Sequence, residues 1–140
     1  MMNLLKFLSG VVMSLAALLA PVKSLIVCAL IFIALDFVTG VAADRKKALA
    51  AGRQWGFESN KAWATVRKLG FVMGGIVLAW LIDAYILDFM TINLAKLFTG
   101  FACGVEFWSY LENATVLSEN PLFRYLKKFM KDRIDKELDQ

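Results

Sequence analysis

Four apolar runs divide the chain, and the polar positions between and within them set the first reading. Leu4 to Ala20 is apolar apart from Lys6, Ser9 and Ser14, and Pro21 closes it by denying the next turn a hydrogen bond. Leu25 to Ala43 carries a single charge, Asp36, before the stop Asp44-Arg45-Lys46-Lys47. The third run, Leu69 to Phe89, contains Asp83 and Asp88; the fourth, from about Thr91 to Ala114, contains Lys96, Glu106 and Glu112. A helix rises about 1.5 Å per residue and the hydrocarbon core is roughly 30 Å thick, so about 20 apolar residues make one crossing. The last three runs reach that length, and the first falls just short of it.

These unbroken runs lack the alternation of barrel strands, and inside lipid only helices or closed barrels satisfy every backbone group. The expected fold is therefore all-α, a polytopic transmembrane helical protein with three or four spans. A first unit, residues 1–24, is an interfacial helix or a short span. A signal peptide is the competing reading of that unit, disfavoured by Pro21 and by the apolar run that follows at once. The transmembrane unit covers 25–114, with spans at about 25–43, 69–89 and 91–114. Almost nothing separates the last two spans, which predicts a tight antiparallel hairpin with a turn of two to four residues around Asp88 to Ile92.

Charge orients the spans. The segment 44–68 holds Arg45, Lys46, Lys47, Arg53, Lys61, Arg67 and Lys68 against Asp44 and Glu58. By the positive-inside rule it is cytoplasmic, and the basic tail 115–140 returns to the same side. In that tail Leu122, Phe123, Leu126, Phe129, Met130 and Ile134 recur at helical spacing, with Arg124, Lys127, Lys128, Lys131 and Arg133 on the other faces. A cytoplasmic amphipathic helix is expected, starting at Pro121 behind Asn120 as N-cap. It suits packing on the bundle, docking on anionic headgroups or recruiting a soluble partner.

Composition excludes much else. The 140 residues are 59% hydrophobic, with a mean hydropathy of +0.61, which leaves no room for a soluble catalytic domain. There is no histidine, hence no common general base or favoured metal ligand, and the two cysteines, Cys28 and Cys103, stand isolated in apolar runs. No enzyme activity, cofactor or metal is expected. The net charge of +4 needs no nucleic acid to explain it.

Charged groups inside spans cost about 2.5 to 3.5 kcal/mol each at the helix centre on insertion scales, so they need partners. Asp36 has Thr39 and Gly40 within one turn. Glu106 shares a face with Thr99, Ser109 and Asn113, and Asp83 and Glu112 add carboxylates near the ends of their helices. Such stripes hydrogen-bond in a dry bundle or line a wet path. Gly70 and Gly74, like Gly100 and Gly104, form GxxxG pairs that open one side of each hairpin helix to close approach, within the hairpin or between subunits. The tryptophans Trp55, Trp63, Trp80 and Trp108 read as interfacial anchors.

The order of these elements resembles a known group. Leu35-Asp36-Phe37-Val38-Thr39-Gly40-Val41-Ala42-Ala43, a basic loop with Ser59 and Arg67-Lys68, Leu81-Ile82-Asp83, and Glu106 followed by Ser109-Tyr110-Leu111-Glu112-Asn113-Ala114 are similar to the phage lysis and toxin-secretion holin family. The likeness runs from about Leu25 to Asn120, and Asp36, Thr39, Gly40, Glu106, Glu112 and Asn113 are the matched positions. The chain departs from the family pattern in a longer apolar segment before Leu25. It also keeps only Pro121 of the glycine-proline that usually follows the Glu-Asn element. The resemblance implies a homo-oligomer in the bacterial inner membrane that permeabilises the bilayer. Endolysin or toxin would then pass through the lesions without stable binding. The rival expectation is a non-conducting accessory protein whose tail recruits a cytoplasmic partner.

Overall fold

The computed structural model describes residues 2–87, 89 and 92–138, among which every regular element is helical. Helix α1 spans Met2–Leu18, and a short 3-10 turn, Ala20–Val22, contains Pro21 and leads into α2, Lys23–Ala50. Helix α3 covers Ser59–Tyr85, α4 covers Leu94–Leu117 and α5 covers Pro121–Leu138. Both α2 and α3 continue past the apolar limits into the basic segment, leaving only 51–58 between them. Gly52, at φ +66°, makes the turn in the left-handed region that glycine enters without steric cost.

The bundle is inside-out by soluble standards. Helices Ala20–Ala50 (counting the 3-10 turn) and Ser59–Tyr85 are long and apolar enough to cross a membrane. In their most apolar stretches only 17% and 11% of residues are buried. A soluble core helix would hide that surface; here Val27, Ile31, Leu35, Val38, Phe71 and Leu78 face outward. Helix α4, with Lys96, Glu106 and Glu112, falls outside this pair, and Leu4–Ala17 is a shorter apolar helix. Every side chain from Leu4 to Ala17 is exposed, so α1 stands apart from the bundle except through the turn at Pro21. Hydroxyls are satisfied within their own helices, as lipid requires: Ser9, Ser14, Thr39, Thr65, Thr99 and Thr115 each donate to a carbonyl three or four residues back.

Helix α4 is the centre. It packs most extensively on α2, then on α3 and α5. A small apolar cluster of Val22, Ile26, Ala29, Ile76 and Cys103 joins α2, α3 and α4. The edge-to-face pair Phe32 and Phe107 and the stacked pair Phe107 and Tyr110 extend that contact. The hairpin connection is longer than the expected two to four residues, because α3 stops at Tyr85 and α4 starts at Leu94. Asp88 and Thr91 lie outside the described residues. The reason for the early stop is visible at Asp83. Its carboxylate crosses to α4 and accepts the backbone N–H of Leu94 at 2.9 Å and of Ala95 at 2.8 Å. A negative group in the last turn of α3 opposes that helix's dipole, but at the first turn of α4 it meets positive charge and two unpaired donors.

The glycine pairs do not close the hairpin. Positions Gly70, Gly74, Gly100 and Gly104 have nothing within 4 Å of where a Cβ would stand. The close approach is at Gly75, where an added Cβ would lie 2.3 Å from Phe98 Cζ and 2.6 Å from Cε1. Gly75→Ala must push the Phe98 ring aside and should destabilise the detergent-solubilised chain by about 1–3 kcal/mol, the usual range for overpacking. Gly74→Ala should stay within about 0.5 kcal/mol of the parent. Adding Phe98→Leu to Gly75→Ala should recover part of the loss in a double-mutant cycle, and equal effects of the two alanine variants would contradict this packing.

Candidate functional site

The polar residues of α2, α3 and α4 meet at one level of the bundle. On α2, Asp36 is followed after one turn by Thr39 and Gly40; on α4, Glu106 and Asn113 lie two turns apart on the face that α2 covers. Asn113 donates from Nδ2 to Asp36 Oδ1 at 3.1 Å, with Thr39 Oγ1 at 3.5 Å. Gly40 makes room for that amide, since a Cβ there would sit 3.4 Å from Asn113 Nδ2. These four positions are thus brought into one cluster across the α2–α4 interface.

The cation in the cluster is Lys68 of α3. Its Nζ lies 2.8 Å from Glu106 Oε2 and 3.4 Å from Asp36 Oδ2. The Glu106 side chain is 7% exposed and that of Asp36 is 14%, whereas Lys68, more than two turns inside α3, keeps 39% along its aliphatic stem. Two carboxylates therefore share one ammonium. The sequence pattern placed Lys68 in the cytoplasmic basic segment and in the family-like basic loop, and did not reveal this role. The available signal was that two lone carboxylates in apolar runs demand a cation, and Lys68 stands at the very start of the third run.

The remaining sequence candidates fall into separate places. Thr99 is buried on α4 and bonded to Ala95 O at 2.7 Å, two turns before Glu106. Ser109 is half-buried and lines a cleft of about 230 Å³ with Asp36, Gly40, Lys61, Thr65 and Asn113. Polar surface therefore opens beside the cluster. Lys61 closes one side of that cleft by pairing with Asp44. Asp83 sits at the hairpin end as the cap of α4, far along α3 from Lys68.

Glu112 turns away from the cluster toward the tail. Lys127 Nζ lies 3.0 Å from Glu112 Oε1 and 5.8 Å from the centre of the Trp108 ring, which fastens α5 to α4. Asn120 caps α5 as expected, accepting the Leu122 N–H at 2.9 Å. No residue of α5 is buried. Arg124, Lys128, Lys131 and Arg133 remain on its open surface, beside the exposed Leu122, Phe129 and Ile134. Arg45 covers Trp55 at 5.9 Å, so two of the four tryptophans hold cations.

Chemically, the arrangement stores charge in an apolar bundle; among the described residues no group of three His, Cys, Asp or Glu could hold a metal. Lys68→Met strands two carboxylates and should destabilise the chain, by less than the roughly 3–5 kcal/mol of a fully buried pair because the ammonium already reaches solvent. Lys68→Met/Glu106→Gln removes one carboxylate as well and should be more stable than Lys68→Met alone. Denaturation in detergent followed by circular dichroism reads both, and a double variant no better than the single would rule out the shared-ammonium account.

Comparison with known proteins adds one finding. No curated protein and no solved structure matches the chain. The model of the bacteriophage holin family matches residues 13–133, a stretch that contains the Asp36, Lys68 and Glu106 cluster, the Asp83 cap and most of the basic tail. With that match over most of its length, the chain belongs to the bacteriophage holin family.

Proposed function

We propose that the chain is a lesion-forming holin of the bacterial cytoplasmic membrane, which oligomerises and permeabilises the bilayer so that an endolysin or a toxin leaves the cell. The observation that carries this reading is the charged cluster of Asp36, Lys68 and Glu106 inside a bundle whose outer surface is apolar. A polar stripe sewn shut within one chain is stable while the chain is alone in lipid. The same stripe, turned toward water in an assembly, becomes the wall of a lesion. Family membership supports the assignment, and the exposed glycine pairs supply a surface on which copies approach closely once α4 turns.

In this reading α2, α3 and α4 cross the membrane, with 44–68 and the tail on the cytoplasmic side, as the basic residues there favour. α1 crosses or lies in the interface. Opening is a population shift from internally paired bundles to assemblies in which Glu106, Ser109 and Asn113 face a lumen. The transmembrane potential acts on the unequal charges of the cluster and can hold the closed form. The tail α5, unburied and basic, rests on anionic headgroups rather than forming part of the wall.

An accessory protein that only recruits a partner through α5 is the rival reading, favoured by the same exposed helix. Induced expression in a bacterial host separates the two, following viability and entry of a membrane-impermeant dye, with and without a cytoplasmic muralytic enzyme. A holin gives abrupt dye entry after a delay, and lysis only when the enzyme is present; at verified membrane levels an intact dye barrier would refute it. Deleting residues 121–140 should change the delay and leave dye entry, whereas an accessory protein loses its role. Glu106→Gln should alter the delay severalfold, and an unchanged delay removes Glu106 from the mechanism. Gly70→Ala/Gly74→Ala should reduce crosslinked oligomers without unfolding the chain.

A further inference from the structure

The chain contains two cysteines, and the fold sets them side by side. Cys28 on α2 and Cys103 on α4 are separated by 75 positions, yet their sulfurs are 3.9 Å apart, in van der Waals contact. Cys103 is buried in the apolar cluster with Ile26, Ala29 and Ile76, while Cys28 opens to the outside of the bundle. Both are free thiols, so each has a single possible partner within the chain. The contact lies in the largest helix interface, and Cys103 is three residues before Glu106, whose carboxylate holds Lys68.

We propose that Cys28 and Cys103 form a redox site, a dithiol that closes to an intramolecular disulfide and thereby locks α4 to α2. In the step, one S–H bond breaks on each cysteine and one S–S bond forms at about 2.05 Å. The two electrons and two protons reduce one lipid-dissolved quinone to its quinol. The quinone class follows from the surroundings: the exposed side of Cys28 belongs to an apolar surface, which admits an uncharged oxidant and excludes charged aqueous thiols. The same exclusion shields the bond from reductants in water once it has formed. Resting on the lesion reading above, the consequence is that the oxidised chain keeps Glu106 and Asn113 against α2 and delays opening.

The test uses the full chain in native membrane vesicles, treated with a short-chain quinone, then with a thiol-alkylating maleimide, and analysed by mass spectrometry. The expected result is a chain lighter by two hydrogens, free of maleimide, with a crosslinked peptide containing Cys28 and Cys103; Cys28→Ser, Cys28→Ala and Cys103→Ser each take up maleimide instead. Full alkylation of both thiols after oxidation, or a crosslink between two copies through Cys28, overturns the site. In cells, quinone treatment should lengthen the delay before dye entry severalfold in the parent and leave it unchanged in Cys28→Ser and Cys28→Ala. A disulfide with an unaltered delay overturns the lock. Absence of dye entry even in the reduced parent refutes the lesion reading instead, and the mass measurement still decides the redox site.

Discussion

One ammonium serves two carboxylates inside an apolar bundle, and the arrangement of the other helices answers to that constraint. Asp36, Glu106 and Lys68 come from α2, α4 and α3, so the ion pairs form only when all three helices stand in the observed register. In lipid the alternative partners for a lone carboxylate are few, which makes each pair a requirement of placement more than a source of net stability. Asn113 completes the requirement by donating to the second oxygen of Asp36. Asp36, Thr39 and Gly40 on α2 and Asn113 on α4 thereby become two sides of a single contact, while Glu112 faces the tail.

Electrostatics at the ends of α4 repeats the theme. Asp83 of α3 holds its first N–H groups, and Lys46 of α2 donates to Leu117 O near its last turn at 3.3 Å. A negative group at the N-terminus and a positive one at the C-terminus both match the helix dipole. Helix α4 is therefore fastened at both ends and in the middle by neighbours within the same chain, and little apolar burial is needed to hold it. This helps a bundle whose buried apolar residues are few and mostly small, such as Ala29, Ala43, Ala79, Ala95 and Ala114 beside Ile33, Ile76 and Leu111, to keep a defined shape. It also means that part of what holds the bundle is polar, and water or another polar surface can replace those contacts, as it cannot replace packed leucines.

The outer surface has the opposite character. Phe71, Leu78, Phe101 and Val105 project from the faces that carry the open glycine pairs and stay largely exposed, with Met130 and Ile134 of α5 flanking the cleft beside Gly100 and Gly104. Lipid satisfies such a surface, and so does another copy. A chain with replaceable polar contacts inside and an apolar, glycine-notched exterior has two sets of partners available to the same helices, which is what the proposed lesion-forming assembly requires.

The helices, though not their limits, were legible in the chain because hydropathy and charge are local: the runs around Asp36, Asp83 and Glu106, the basic segment after Ala43, and the Asn120-Pro121 start of α5 all read directly from neighbouring residues, while α2 and α3 run on into the basic segment and α3 stops at Tyr85. The need for partners was legible too, since a carboxylate in an apolar run announces its own cost. Which partner answers was decided only in three dimensions. Lys68 lies 32 positions from Asp36 and 38 from Glu106, and it serves them because helix register brings it there. Gly75 rather than its neighbour Gly74 makes the close approach because helix rotation, invisible to a spacing motif, points it at Phe98. Cys28 meets Cys103 for the same reason: local sequence fixes what each helix is, while the rotation and depth of one helix against another depend on contacts made between distant residues all at once.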